Sequence, residues 1–315
     1  MEFAPEMLEY ATRIASLGLT GYAEGTVQER RDGYSAIGDL LGPGPEMKEV
    51  RDVLVRSVDG TILIKNYIPK TEIRSQILYF HGGGWVVGRI RDFDPFARKL
   101  ADGTSSIVSL VDYRLAPEHP YPIPLEDSYA ALEWAESFKN ESFGKEFPLV
   151  VAGDSAGGNL AAATILRARD RKGPKIDLQV LIYPVTETIC NTESYKEFEF
   201  GPGLTKKDME WFISQYLPDP DSRRQWSASP LFSENWKDLP PAVVFTAGID
   251  PLRSDGELYS KKLMDAGIPV VFKNFEGYTH GFFTKVNLLK SPEEGIRIIS
   301  QQIEKLRFLP HNIHK

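Results

Sequence analysis

Short apolar runs alternate with longer amphipathic stretches over most of the chain. Apolar runs of this length, bounded by turn residues, are typical of buried strands, and the stretches between them have the spacing of helices. The alternation itself is typical of a mainly parallel sheet with crossover helices. The predicted strands cover about residues 50–56, 62–68, 77–80, 107–112, 149–152, 178–183, 243–247 and 270–275. The sequence therefore predicts an α/β fold with an eight-stranded, mostly parallel sheet flanked by helices.

Turn and cap signals indicate how these strands are connected. Asp59-Gly60 lies between the first two predicted strands and accepts the positive φ of a tight hairpin, so the sheet should begin with an antiparallel pair. The sequences SDGE from Ser254 and TKKD from Thr205 have the form of a capping box, and SPEE from Ser291 places a cap before a proline. We expect helices to start at these three positions.

Two regions, residues 1–45 and residues 186–226, fall outside the alternation of strands and helices. The first begins with Met7, Ala11 and Ile14 at helical spacing, and the second carries bulky apolar residues after Thr205. We predict that both regions fold as a helical cap over the carboxyl edge of the sheet. Residues 46–185 and 227–315 then form the α/β core.

Composition and charge exclude several other classes of protein. The 315 residues carry a net charge of -7, which does not suit a surface for nucleic acid or an anionic membrane. No apolar stretch approaches the roughly 20 residues of a membrane span, and residues 1–10 do not have the pattern of a secretory signal. Cys190 is the only cysteine, which excludes an internal disulfide and a cysteine zinc cluster and favours a small buried hydrophobe. A cytoplasmic protein is the resulting expectation.

The sequence GDSAG, from Gly153 to Gly157, matches the nucleophile elbow of α/β-hydrolases. It stands between a predicted strand and a predicted helix over residues 159–171, where the flanking glycines leave room for a tight turn that exposes Ser155. A phosphate-binding turn is the alternative. Asp154 would repel a phosphate, and the sequence lacks a glycine-rich loop ending in Gly-Lys. Ser155 is therefore the candidate nucleophile.

A serine hydroxyl needs a base to take its proton. His280 follows the last predicted strand in a turn that can lay an imidazole over the sheet edge. A purely structural turn histidine is the alternative. The other histidines are placed less well: His81 precedes a glycine loop and suits a structural hydrogen bond, His119 is wedged between prolines, and His311 and His314 lie near the chain end.

An acid should orient the base, and in this fold it lies between the serine and the histidine along the chain. Asp250 follows the predicted strand over residues 243–247 at its carboxyl end, where ligands bind in open α/β sheets. Asp255 competes, but its position in the predicted capping box suits the start of a helix. Asp265 and Glu276 are further alternatives.

Ester hydrolysis also needs donors directed at the developing oxyanion. The sequence HGGGW, from His81 to Trp85, follows a predicted strand, and its glycines allow backbone amides to point into a site. We expect the N–H groups of Gly83, Gly84 and Ala156 to form this oxyanion hole. A plain glycine-rich loop is the alternative.

Together these motifs resemble the hormone-sensitive-lipase-like esterases, also called family IV, of the α/β-hydrolase superfamily. The resemblance rests on HGGGW from His81, DYRLAPE from Asp112, GDSAGGNL from Gly153, DPLR from Asp250 and HGF from His280. It implies an α/β-hydrolase fold with a helical cap, a triad of Ser155, Asp250 and His280, and no cofactor or metal. We expect Asp112 and Arg114 in the second motif to form a structural network rather than to contact substrate.

The residues of the substrate pocket are harder to select, because most aromatic residues in such regions pack within the cap. The candidates for an acyl or alcohol pocket are Trp85, Phe198, Phe200, Leu204, Trp211 and Phe212.

The function predicted from the sequence is that of a carboxylesterase acting on short- to medium-chain acyl esters through an acyl-enzyme. Hydrolysis of amides or carbamates, and acyl transfer to another acceptor, would use the same residues and stay open. A binding receptor on the same fold, as in the plant gibberellin receptors, would lack the base that His280 supplies. We expect a small-molecule ester as partner, neither nucleic acid nor membrane, and leave homo-oligomer formation open.

Overall fold

The computed structural model describes residues 2–19 and 21–306. All the predicted strands are present in it, with bounds close to the predicted ones. They are β1 (Glu49–Ser57), β2 (Gly60–Ile68), β3 (Ser75–Phe80), β4 (Ser106–Asp112), β5 (Leu149–Asp154), β6 (Leu178–Ile182), β7 (Ala242–Ile249) and β8 (Val270–Thr279). The predictions for His311 and His314 lie outside the described residues.

The strands form one sheet in the order β1-β2-β4-β3-β5-β6-β7-β8. β1 and β2 are antiparallel, β2 is antiparallel to β4, and all other neighbours are parallel. The hairpin between β1 and β2 turns at Asp59, which has a φ of 55°. The prediction of a mostly parallel α/β sheet that begins antiparallel is confirmed.

Helices cover both faces of the sheet. Alternate residues of β5 show this. Val151 packs in one apolar core with the helices Ile123–Ser142, Ala156–Arg171 and Arg253–Asp265, whereas Val150 and Ala152 pack in a second core with the helices Ile90–Thr104 and Ser291–Leu306. The period of two along the strand divides its side chains between the two cores. The helices are α1 (Pro5–Ala15), α2 (Val27–Asp39), α3 (Ile90–Thr104), α4 (Ile123–Ser142), α5 (Ala156–Arg171), α6 (Glu193–Glu197), α7 (Lys206–Tyr216), α8 (Arg253–Asp265) and α9 (Ser291–Leu306).

One of the two predicted capping boxes is present and the other is wrong. Thr205 caps α7, with its hydroxyl accepting from the backbone of Asp208 at 3.1 Å and the Asp208 carboxylate accepting in return. α8 instead begins one residue before Ser254 and has no side-chain cap. The Ser254 hydroxyl accepts from the backbone of Ser194 at 3.2 Å, while Asp255 accepts from two backbone amides of the loop after β6, at 2.8 and 3.1 Å. The carboxylate of Asp255 is therefore occupied by buried backbone amides of a distant loop, which need an acceptor, and not by the amides at the start of α8.

The regions before β1 and after β6 lie against each other. The backbone N–H of Ala23 donates to Asp208 of α7 at 3.1 Å, and the rings of Tyr22 and Phe212 are 4.8 Å apart. α1 is held against the far end of the chain, because Glu6 accepts from the hydroxyl of Tyr278 at 2.7 Å. It also accepts from the backbone N–H groups of residues 290 and 291 at 2.9 and 3.2 Å.

Arg114 belongs to a structural network, as its motif predicted, but its partner is Asp127 of α4 rather than Asp112. Two guanidinium N–H groups donate to the two carboxylate oxygens of Asp127 at 2.9 and 2.6 Å. The backbone N–H of Arg114 donates at 3.0 Å and the hydroxyl of Ser57 at 2.5 Å. Asp127 is fully buried, so this bidentate pair ties α4 to the segment that follows β4.

We predict that Asp127→Ala lowers the free energy of unfolding by about 3 to 5 kcal/mol, because it leaves the Arg114 guanidinium without its partner. Denaturant unfolding of the wild type and the variant measures the difference. The matched control is Asp265→Ala, which breaks an exposed ion pair with Lys261 and should cost no more than about 1 kcal/mol. Equal losses in the two variants would contradict the prediction.

Candidate active site

Ser155 occupies a strained turn between β5 and α5. Its backbone has φ 55° and ψ -120°, an unfavourable conformation for a residue with a side chain. The flanking glycines make the turn possible, since a Cβ on Gly153 would strike the backbone oxygen of Gly157, and a Cβ on Gly157 would strike that of Phe80. The Ser155 N–H donates to Ile182 of β6 at 2.9 Å. The turn thereby lifts the serine hydroxyl above the carboxyl edge of the sheet.

A chain of hydrogen bonds joins Ser155, His280 and Asp250. Nε2 of His280 lies 2.9 Å from the Oγ of Ser155, and Nδ1 lies 2.7 Å from Oδ2 of Asp250. Asp250 is fully buried, and its other oxygen accepts from the backbone N–H of Leu252 at 2.8 Å. The ring of Tyr183 packs against the imidazole, with centroids 4.6 Å apart. The imidazole is thus held between an oriented acid and the serine hydroxyl.

Two of the other candidate acids are engaged elsewhere, and the third, Glu276, is exposed on the surface. Asp255 binds the backbone after β6, as described above, and Asp265 forms an ion pair with Lys261 on the surface. Among the described residues, His280 forms its side-chain hydrogen bonds with Asp250 and Ser155 alone.

His81 is fully buried and stabilises the glycine loop. One ring nitrogen, Nδ1, lies 2.7 Å from the carbonyl oxygen of Gly82, and the ring stacks on Tyr113 with centroids 4.5 Å apart. Burial lowers the pKa of His81 to about 4, which keeps the imidazole neutral. These contacts agree with the structural role that the sequence suggested.

Gly83 and Gly84 have φ values of 111° and 57° and lie beside Ser155 in one cavity. A Cβ on Gly83 would strike the backbone oxygen of Val87, and one on Gly84 would strike the ring of Phe212. Within residues 2–19 and 21–306, neither amide donates a hydrogen bond. Ala156 is the first residue of α5, so its N–H has no partner inside the helix. Three backbone donors are therefore free next to the serine.

Asp154 connects the glycine loop to the elbow, a role that sequence reasoning missed. One oxygen of this fully buried carboxyl accepts from the hydroxyl of Tyr79 at 2.8 Å and from the N–H of Gly82 at 2.9 Å. Burial raises the pKa of Asp154 to about 6, and these hydrogen bonds oppose the shift. An acid beside the nucleophile in an otherwise apolar segment was the available signal.

A cavity of about 390 Å³ opens above Ser155 and His280. Two of the candidate pocket residues, Leu204 and Phe212, line it. The other four lie elsewhere. Trp85 is buried in the core against Tyr216, with ring centroids 4.3 Å apart. Phe198 is buried beneath Arg253, Phe200 is 91% exposed, and Trp211 packs edge-on against Phe212.

Much of the cavity wall comes from residues that the sequence did not single out. Side chains of α1, α2 and the segment between them contribute, together with Met209 of α7 and Lys285 after β8. The amphipathic pattern of residues 7–14 predicted a helix there. It could not show which of its side chains would face the serine. The contributors from the N-terminal region include Tyr10, Ile14, Leu19, Tyr22, Tyr34 and Ile37.

The described part of the chain has neither a cluster of metal-binding side chains nor a membrane-spanning helix. No group of three or more histidine, cysteine, aspartate or glutamate side chains there is arranged to hold a metal ion. None of the helices in that part combines the length and apolar character needed to cross a bilayer.

Comparisons with known proteins point to one family. A family model described as the alpha/beta hydrolase fold matches residues 77–284. The carboxylic ester hydrolase LipN of Mycobacterium tuberculosis is 40% identical over 255 residues, which cover 78% of this chain and 68% of LipN. An arylesterase of Saccharolobus solfataricus is 31% identical over 284 residues, or 90% of this chain and 92% of that protein.

Solved structures agree with these relatives. The hyperthermophilic esterase of the archaeon Pyrobaculum calidifontis superposes with a TM-score of 0.90 at 34% identity, over 98% of this chain and 99% of that one. A thermostable carboxylesterase cloned from a metagenomic library superposes with a TM-score of 0.85 at 37% identity, over 90% of this chain and 98% of that one.

We predict that Asp154 makes the protein less stable as the pH rises from about 4 to about 6. An unfolded aspartate ionises near pH 4, whereas Asp154 in the folded protein has a pKa of about 6. Between these two values the folded state keeps a proton that the unfolded state has lost, so stability falls as the pH rises from about 4 and levels off above about 6. Asp154→Asn keeps an acceptor for Tyr79 and Gly82 but does not titrate. Its unfolding free energy should gain about 3 kcal/mol relative to the wild type between pH 4 and pH 7.

Urea unfolding of both proteins at several pH values in this range measures the difference. A constant difference between wild type and Asp154→Asn would show that folding does not shift the pKa of Asp154 and would contradict the prediction.

Proposed function

Since the chain belongs to the hormone-sensitive-lipase-like esterases of the α/β-hydrolase family and is a carboxylesterase, we propose that Ser155, His280 and Asp250 hydrolyse short- to medium-chain acyl esters through an acyl-enzyme. The observation that carries this proposal is the continuous chain of hydrogen bonds from the buried carboxylate of Asp250 through His280 to the hydroxyl of Ser155, at 2.7 and 2.9 Å.

Acylation begins when Nε2 of His280 takes the proton of Ser155 and the serine oxygen attacks the ester carbonyl. Asp250 holds the imidazole with Nε2 toward the serine and stabilises its protonated form. As the carbonyl becomes tetrahedral, its oxygen accepts from the N–H groups of Gly83, Gly84 and Ala156. His280 then protonates the leaving alcohol, and the acyl group stays on Ser155.

Deacylation repeats the sequence with water. His280 takes a proton from the water molecule, which attacks the acyl-enzyme, and the same three amides stabilise the second tetrahedral intermediate. The proton returns to Ser155 as the carboxylic acid leaves. Every proton transfer in the cycle passes through one nitrogen of His280.

We assign α1, α2, α6 and α7 to a cap that closes this site. The contacts between Tyr22 and Phe212, and between Ala23 and Asp208, support a single unit built from the regions before β1 and after β6. Leu204, Met209 and Phe212 give one wall of the cavity an apolar surface, which suits an aliphatic acyl chain.

We predict that Ser155→Ala loses about 10⁶ in kcat and all labelling by a fluorophosphonate, because the variant has no nucleophile. Asp250→Asn should lose about 10⁴ in kcat, because the imidazole loses the partner that fixes its orientation. Hydrolysis of p-nitrophenyl butyrate, with mass spectrometry of the fluorophosphonate adduct, measures both effects.

Asp265→Asn is the matched control, since this carboxylate pairs with Lys261 on the surface, and the variant should retain wild-type activity. Labelling of Ser155→Ala, or full activity of Asp250→Asn in a folded protein, would remove these residues from the assignment.

The cap should set the preferred chain length. Each buried methylene contributes about 0.8 kcal/mol, so kcat/KM should rise from acetyl to butyryl or hexanoyl esters and then fall as the cavity fills. Phe212→Ala enlarges the cavity and should move the optimum to longer chains. The measurement is kcat/KM across a p-nitrophenyl ester series from acetyl to palmitoyl.

Trp211→Ala is the control for this series, because Trp211 packs on Phe212 without lining the cavity. Its optimum should stay at the wild-type length. A wild-type optimum at palmitoyl, or the same optimum in Phe212→Ala as in the wild type, would contradict the prediction.

A further inference from the structure

Lys285 places a cation in the wall of the cavity beside the proposed triad. It follows a short 3-10 turn (Phe282–Thr284) after His280, and its backbone N–H donates to Phe282 at 3.0 Å. Only 8% of the residue is exposed, and it lines the same cavity as Ser155 and His280. The turn that positions the proposed base therefore also brings a lysine to the substrate.

The ammonium group of Lys285 has no hydrogen-bond acceptor and no ion-pair partner among the described residues. Its Nζ lies 5.5 Å from the centroid of the Tyr34 ring, a cation–π contact. An ammonium carries three N–H donors, and here they are accessible from the cavity rather than enclosed in the core. A group that is kept in this state beside a catalytic centre is suited to a partner that arrives with the substrate.

The two carboxylates whose charges act on Lys285 already accept hydrogen bonds from other groups. Asp154 binds Tyr79 and Gly82, and Asp92 accepts from the hydroxyl of Ser35 at 3.2 Å and the backbone of Arg89 at 2.9 Å. Burial lowers the pKa of Lys285 to about 8, and the charges of Asp154 and Asp92 oppose this shift. At neutral pH the lysine is therefore mostly protonated and able to attract an anion.

The wall of the cavity offers further donors. Tyr10, Tyr22 and Tyr34 line the cavity, and none of their hydroxyls hydrogen-bonds to a described residue. The other acids of the cavity wall have partners of their own. Glu29 accepts from the backbone N–H of Thr26, and Asp208 accepts from that of Thr205. The cavity thus combines apolar side chains with an ammonium and hydroxyl groups that have no partner among the described residues.

We infer that Lys285 binds a carboxylate of the substrate, so that the enzyme favours esters that carry a free carboxylate over neutral esters of the same shape. This inference rests on the proposed function of Ser155. A carboxylate supplies the hydrogen-bond acceptor that the ammonium lacks and can also accept from tyrosine hydroxyls of the cavity wall, which a neutral alkyl chain does not. Half-esters of short dicarboxylic acids, and acyl esters of short hydroxy acids, are the substrate classes that this chemistry selects.

The test compares matched pairs of esters. On the acyl side the pair is monoethyl succinate and ethyl 4-methylpentanoate, with ethyl levulinate as the neutral ester that keeps an acceptor oxygen. On the alcohol side the pair is 4-acetoxybutyrate and 4-methylpentyl acetate. Titration of the released acid measures the rate of hydrolysis. The readout is the ratio of kcat/KM for the carboxylate ester to kcat/KM for its neutral isostere.

We expect the wild type to prefer the carboxylate ester in at least one series. Lys285→Met should lower that ratio about tenfold or more, mainly through KM, and Lys285→Arg should retain part of it. Lys261→Met removes the same charge from an exposed position and should leave the ratio unchanged. A lysine that only balanced the charge of Asp154 would change stability without changing the ratio.

The inference is overturned if the wild type shows no carboxylate preference in either series, a result that needs no variant to fold. It is also overturned if ethyl levulinate matches monoethyl succinate, or if Lys285→Met keeps the wild-type ratio. A neutral ester, ethyl butyrate, distinguishes a failure of the Lys285 inference from a failure of the proposed triad. Hydrolysis of ethyl butyrate that disappears in Ser155→Ala supports the triad whatever Lys285 does, and hydrolysis that persists in Ser155→Ala refutes the triad itself.

Discussion

The turn from β5 into α5 passes so close to the end of β3 that a methyl group does not fit between them. Gly157 lies against the backbone oxygen of Phe80, and Gly153 lies against that of Gly157. This close approach forces Ser155 into its strained backbone conformation. It also sets the height of the serine hydroxyl above the sheet. His280 and the glycine loop must therefore be placed to match the position of this hydroxyl.

One carboxylate transmits that constraint to the neighbouring loop. Asp154 precedes Ser155 in the chain and accepts from Gly82, the residue before the two free amides of Gly83 and Gly84. The nucleophile and its proposed oxyanion donors are therefore linked through a single buried side chain. Burial of Asp154 has an electrostatic cost, seen in its raised pKa. In exchange, Asp154 fixes the spacing between the nucleophile and the oxyanion donors, and catalysis of this kind depends on donors that are in place before the reaction.

Features that depend on local sequence were predictable, and features that depend on distant partners were not. The strands followed from apolar runs, and the turn at Ser155 followed from its glycines, since both are decided by neighbouring residues. The capping box at Ser254 failed because the loop after β6 offered Asp255 two buried amides. The residues of the cavity wall could not be predicted either, because candidate aromatic residues look alike in sequence. Only tertiary packing places Phe212 in the cavity wall and Trp85 in the core.

The contacts of Glu6 have a consequence for synthesis on the ribosome. Synthesis makes Glu6 long before its partners, which are Tyr278 and the backbone of residues 290 and 291, 272 to 285 residues further along the chain. Domains generally begin to fold from the N-terminal side as they emerge, but α1 lacks these partners until residues 278–291 have been made. Tyr10 and Ile14 of this helix line the cavity, so a nascent chain completes its sheet before it acquires a closed substrate pocket.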